Sequence, residues 1–232
     1  MTSSSVMDVE ERAKQSLGGS SDPVYQMVNR AISQLNSGGV LVDVGCGSGR
    51  LWSFVGDHAV SLRDRVDRYF GVDVVRYEDL PDAIEFIPFD LDSGKVSLAD
   101  GSADIVCAVE VIGHLENPRS FVRELVRLAK PGGFVIVTTP NQLSLLSKLT
   151  FILKNQFNAF QEAPGLYPAH ITALLEIDLI RIFAESGLSN IQINYSNHGR
   201  MPFTPWHWPK SLGFGDRTFS DNILCIGQKS TS

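Results

Sequence analysis

Short apolar runs alternate with longer helically spaced stretches along most of the 232 residues. Val40-Leu41-Val42-Asp43-Val44 is apolar apart from Asp43, as a strand covered on both faces would be. Four further runs read as strands: Tyr69-Phe70-Gly71-Val72-Asp73, then residues 84–92, the block beginning at Ser102, and residues 134–141. Asp22-Pro23 opens a first helix as cap and first-turn proline, with Val24, Met27, Val28, Ala31, Ile32 and Leu35 facing inward. Residues 119–129 place Phe121, Val122, Leu125, Val126 and Leu128 on one helical face, and Lys130-Pro131-Gly132-Gly133 ends that helix. A late helix over 174–186 stops at Gly187 as C-cap, followed by strands over 191–195 and 222–227. Such alternation predicts an α/β domain with a largely parallel sheet.

The first strand runs directly into Gly45, Gly47 and Gly49. Glycines there permit a sharp turn and let the backbone approach a ligand closely. Arg50 occupies the place of the third glycine of G-x-G-x-x-G, and no Lys-Ser/Thr pair follows, so neither the nicotinamide fingerprint nor a P-loop is present. The carboxylate of Asp43, two residues ahead of the loop, suits a ligand whose near end is cationic. Asp73 stands 24 residues past Gly49 at the tip of the second strand, where doubly wound folds bind ribose hydroxyls; capping the following segment is its simpler use.

On Asp43, Gly45, Gly47 and Gly49 the chain resembles the class I S-adenosylmethionine-dependent methyltransferases. A second stretch strengthens the likeness: Glu110-Val111-Ile112-Gly113-His114-Leu115-Glu116-Asn117-Pro118, then Lys130-Pro131-Gly132-Gly133 and Thr139-Pro140-Asn141, resembles the subgroup with ubiquinone-type O-methyltransferases. Gly113 departs from the second acid usual there. The resemblance implies a Rossmann-like doubly wound seven-stranded sheet, helices on both faces and the last strand antiparallel. It implies S-adenosyl-L-methionine as cofactor, held by Asp43, Gly45, Cys46, Gly47, Gly49, Asp73, Val74, Asp90, Leu91 and Glu110. Asp90 would accept from the adenine amino group while the Leu91 backbone faces the ring, with Asp92 competing for the first role. No metal is expected.

With 43% hydrophobic and 20% charged residues, residues 22–232 form one domain behind a polar, flexible segment over 1–21 that lacks a signal-peptide core. The net charge of −6 and the absence of a basic cluster argue against nucleic acid as partner. No apolar stretch approaches a membrane span, and a cytoplasmic location is expected. Cys46, Cys107 and Cys225 lack metal-like spacing and read as reduced, buried small groups.

Two insertions should decide the acceptor. Residues 142–170 carry Leu143, Leu145, Leu146, Leu149, Ile152 and Leu153, then Phe157, Phe160 and Tyr167. They read equally as a lid, a cover for the core or a homodimer contact; a membrane-surface role is weaker, since only Lys148 and Lys154 supply charge. Residues 196–221 include Met201-Pro202-Phe203-Thr204-Pro205-Trp206-His207-Trp208-Pro209, flat apolar surface stiffened by proline. With Tyr167-Pro168-Ala169-His170-Ile171-Thr172, these segments also resemble glycan-modifying methyltransferases, which makes a saccharide hydroxyl the first acceptor class and a quinone-like phenol the second.

Methyl transfer to an alcohol needs alignment, exclusion of water and removal of a proton. His114, just past the fourth strand, leads as base ahead of His170, with His207 third; a structural histidine bonded to backbone is an even alternative for each of the first two. A catalytically idle protein that binds S-adenosylmethionine for a structural or regulatory role is the other reading of the same motifs.

Overall fold

The computed structural model describes residues 14, 18–54, 64–163, 165–166, 169–209 and 216–231. Tyr167 and Pro168 lie outside these, as do most of residues 1–17. Helix α1 is Asp22–Ser33, followed by β1 Gly39–Val44, the single turn α2 Arg50–Ser53, β2 Val66–Asp73, β3 Ile84–Pro88 and β4 Ala103–Ala108. Then come α3 Pro118–Leu128, β5 Ala129–Pro140, α4 Leu145–Lys154, α5 Glu176–Glu185, β6 Leu188–Tyr195 and β7 Asn222–Lys229. The strands make one seven-stranded sheet in the order β3-β2-β1-β4-β5-β7-β6. Strands β1 to β5 run parallel, and β7 is antiparallel to both β5 and β6.

Side-chain alternation along the strands builds a core on each face. Leu41, Ile105 and Ile136 pack with Val24, Val28 and Ile32 of α1 on one side. Val42, Val106, Val135 and Val137 pack with Val122 and Leu125 of α3 and Leu179, Ile182 and Phe183 of α5 on the other. All three cysteines are buried and free.

Three local expectations change. Ser21, not Asp22, is the cap residue of α1, and Asp22 instead pairs with Arg50 at 2.6 Å. The Lys130-Pro131-Gly132-Gly133 segment does not end α3, because Ala129 is already extended. It lies inside β5 as a bulge, with Gly132 at φ +79° where the pairing to β4 shifts register. The boundary at residue 21 also shifts: Gly18 is buried, and its carbonyl accepts from the Ser48 amide at 2.9 Å, so residues 18–21 close over the glycine loop.

Candidate active site

The order of strands reverses between β1 and β4, and a doubly wound sheet binds its ligand in the crevice at the carboxyl ends there. A cavity of about 180 Å³ opens at that position, room for on the order of ten waters. Asp43, Gly45, Cys46, Gly47, Asp73, Val74, Asp90, Leu91, Glu110, His114 and His170 all line it. Gly49 does not; it is left-handed, and a side chain there would run into Ile84, Pro81 and Leu80, so it serves the packing of the loop. His207 is also absent from the wall: it is exposed and stacks on His198 with ring centroids 4.0 Å apart.

The carboxylates hold the loop and face the cavity in different ways. Asp43 Oδ2 accepts from the Tyr69 hydroxyl at 2.6 Å, while its buried Oδ1 has no partner among the described residues. Burial pushes the Asp43 carboxyl up to about 7, with Asp73 adding to the rise and Tyr69 opposing it. Asp73 accepts from the Gly47 amide at 2.9 Å and the Val75 amide at 3.1 Å, pinning the loop to the tip of β2; burial raises its pKa and these amides oppose the rise. Glu110 takes a left-handed φ of +59° just past β4, a costly conformation for glutamate that recurs at functional sites. Its Oε2 accepts from Asn222 Nδ2 at 3.0 Å, its Oε1 is buried without a partner among the described residues, and burial raises the carboxyl's pKa to about 7 against Thr138 and Asn222. Asp90 and Asp92 both reach the wall; Asp90 is half-buried and accepts from the Asp92 amide at 3.0 Å, whereas Asp92 is exposed.

The two histidines form one unit, with ring centroids 4.3 Å apart. His114 Nδ1 lies 3.0 Å from the Ala169 carbonyl and His170 Nδ1 lies 2.9 Å from the Ala159 carbonyl. A carbonyl can only accept, so each Nδ1 carries a proton, and in the neutral form of either ring Nε2 is the acceptor. Burial lowers the pKa of His170 from 6.5, against the pull of the Ala159 carbonyl. Gly113 lies beside the pair: its carbonyl accepts from the Ile171 and Thr172 amides, and the His170 ring lies 3.5 Å from where its Cβ would be, an ordinary contact distance.

Sequence reasoning missed Tyr69, which holds Asp43, Thr138 and Asn222, which hold Glu110, and Leu166, which joins the wall from the 142–170 insertion. It also missed residues 18–20, although the Gly18-Gly19 pair was visible.

This is the fold and crevice of a doubly wound cofactor-binding domain. The chain belongs to the methyltransferase-domain family, whose model, described as "Methyltransferase domain", matches residues 22–193. A ubiquinone biosynthesis O-methyltransferase of Azoarcus sp. is 26% identical over 188 residues, covering 71% of this chain and 78% of that protein. A 2-methyl-6-phytyl-1,4-hydroquinone methyltransferase of Synechocystis sp. is 30% identical over 118 residues, 48% of this chain. The match spans only 35% of that protein's length, and 65% of an S-adenosylmethionine-dependent methyltransferase relative from Mycolicibacterium smegmatis. A solved SAM-dependent methyltransferase from Archaeoglobus fulgidus superposes with a TM-score of 0.62 at 17% identity, over 96% of this chain and all of that one, which bears on fold alone. S-adenosylmethionine is the cosubstrate this family membership implies. No described helix is long and apolar enough to cross a membrane.

The residues present suit that group. Two buried carboxylate oxygens without partners, Asp43 Oδ1 and Glu110 Oε1, belong to residues of the wall and can accept from a cationic amine. A pH signature follows. Both carboxyls rise from ordinary values of 3.8 and 4.5 to about 7, so the folded chain holds their protons more tightly than the unfolded chain. The stability from this source is present in full below about pH 4 and is lost as pH rises towards 7, on the order of 3 kcal/mol per group. Thermal unfolding without ligand should therefore find Asp43→Asn and Glu110→Gln increasingly stabilised relative to the unsubstituted chain between pH 5 and 8. A difference that does not change with pH contradicts it.

Proposed function

We propose that the chain transfers a methyl group from S-adenosylmethionine to a hydroxyl oxygen of a small-molecule or saccharide acceptor. The observation that carries this reading is the meeting, in one cavity at the switch of strand order, of buried carboxylate oxygens without partners among the described residues and a close, tilted pair of imidazoles. S-adenosylmethionine supplies an electrophilic sulfonium methyl when bound. Asp43 and Glu110 accept from its amino group, Asp73 from ribose hydroxyls through lone pairs left over from the Gly47 and Val75 amides, and Asp90, with Asp92 beside it, from the adenine side next to the Leu91 backbone. His114 Nε2 takes the acceptor's hydroxyl proton, backed by His170 against its ring. Leu166 and Leu115 keep water out.

The names of the relatives from Azoarcus and Synechocystis favour a quinol-like phenol over a saccharide as acceptor. Release of S-adenosylhomocysteine in the presence of a prenylated quinol or of a glycan, and not without acceptor, tests the activity. Binding of cosubstrate with no release on any acceptor would overturn it in favour of an idle binding protein. Asp73→Ala should weaken cosubstrate binding by roughly 1.5–3 kcal/mol, the range for hydrogen bonds to charged groups. Unchanged calorimetric affinity in the folded variant would remove Asp73 from the ribose role.

A further inference from the structure

Every amide of the glycine loop is already committed. Those of Gly45 and Cys46 donate to the Val72 carbonyl at 2.7 and 3.2 Å, that of Gly47 to Asp73, that of Ser48 to the Gly18 carbonyl and that of Gly49 to the Cys46 carbonyl at 2.9 Å. The loop is closed on its own bonds and keeps no N–H for a ligand. Past β4 the pattern repeats, where the Glu110 amide donates to Thr138 and the His114 amide to the Val111 carbonyl.

S-adenosylmethionine carries a carboxylate as well as an ammonium and a sulfonium. The described wall meets it with Asp43, Asp73, Asp90, Asp92 and Glu110 and with no lysine or arginine. A carboxylate set among these acids without a donor would be both desolvated and repelled. One side chain of the wall has a donor to spare. Tyr25 of α1 is 5% exposed, and its hydroxyl accepts from the Ser20 amide at 2.8 Å, while its own O–H has no acceptor among the described residues. The ring is fixed in place by Phe54, stacked with centroids 5.9 Å apart, and the Arg50 guanidinium lies 5.7 Å from its centroid, a positive charge behind the phenol. Burial pushes the Tyr25 phenol up to about 12, with the Ser20 amide and Arg50 opposing and Asp43 and Glu110 adding to the rise, so the O–H stays a donor at neutral pH.

We propose that the Tyr25 hydroxyl donates to the carboxylate of S-adenosylmethionine and so anchors the amino-acid tail from α1. The two charges of the tail are then divided: Asp43 and Glu110 take the ammonium, and the phenol takes the carboxylate. A phenol that accepts one hydrogen bond is a stronger donor in the next, so the Ser20 amide reinforces the contact and the ligand in turn holds residues 18–20 over the loop. This assignment rests on the cavity being an S-adenosylmethionine site.

Calorimetric titration of the full chain and of Tyr25→Phe tests it, using S-adenosylhomocysteine and its decarboxylated analogue S-adenosyl-3-thiopropylamine, which keeps the amine. Tyr25→Phe should weaken S-adenosylhomocysteine by roughly tenfold to a hundredfold, the range for a hydrogen bond to a charged group, and leave the analogue within about twofold. The variant keeps the ring and its packing on Phe54, so its thermal unfolding should match that of the unsubstituted chain. Loosening of residues 18–20 alone would weaken both ligands alike, so the readout is the ratio of the two affinities. The Tyr25 assignment fails if that ratio is the same in both proteins, or if the variant loses both ligands. If the unsubstituted chain binds neither ligand, the S-adenosylmethionine site itself is overturned and the assignment falls with it.

Discussion

Gly47→Val is expected to abolish cosubstrate binding. Gly47 has φ +52°, a region that a β-branched residue rarely adopts. A Cβ built there lies inside contact distance of the Gly18 carbonyl, which is backbone and cannot swing away. The Gly18 carbonyl also accepts from the Ser48 amide, and the Gly47 amide donates to Asp73, so displacing the loop breaks both the lid of residues 18–20 and the pin to β2. The affinity for S-adenosylhomocysteine should fall roughly a hundredfold or more, equivalent to about 3 kcal/mol. The sheet core beneath does not include Gly47, so circular dichroism should change little. Near-normal calorimetric affinity in the variant would mean that the loop is only a turn.

His114→Ala should lower turnover by about a hundredfold to ten-thousandfold with cosubstrate affinity within a few-fold, the contribution of a positioned base. The substitution removes the ring whose Nδ1 faces the Ala169 carbonyl and which lies tilted against His170 at 4.3 Å between centroids. Because His170 is held neutral by burial, it stays an acceptor at pH 7 and is the fallback base. In His114→Ala any residual turnover should show an acid limb below 6.5, where His170 protonates, because burial lowers its pKa from that value. Turnover within a few-fold of normal would make His114 structural.

The acids at strand ends were legible in the sequence because a strand that ends at a crevice must end in what the crevice uses: Asp43 and Asp73 stand beside the cavity as their places after apolar runs implied. The partner of Asp43 was not legible. Tyr69 reaches it only because β1 and β2 pair in parallel with Asp43 opposite Gly71, which sets Tyr69 two residues back on the same face. The Lys130-Pro131-Gly132-Gly133 segment carries the residues of a helix stop and of a bulge alike, and only pairing with β4 separates the two. The leucine-rich run of α4 advertised apolar content but not its direction. Gln142 and Asn158, from outside the helix, take Ser147 inward, while Phe151, Ile152 and Leu153 stay exposed. For His207, aromatic company suggested a site, while the fold pairs it with His198 away from the cavity.

In the proposed function, the crevice between β1 and β4 holds S-adenosylmethionine through Asp43, the glycine loop and Asp73. Calorimetric titration of the full chain with S-adenosylhomocysteine, beside NAD as control, tests it most directly. Saturable binding of one molecule per chain, lost in Gly47→Val and absent for NAD, is the predicted result; no heat from S-adenosylhomocysteine, or the same isotherm in Gly47→Val, would contradict it.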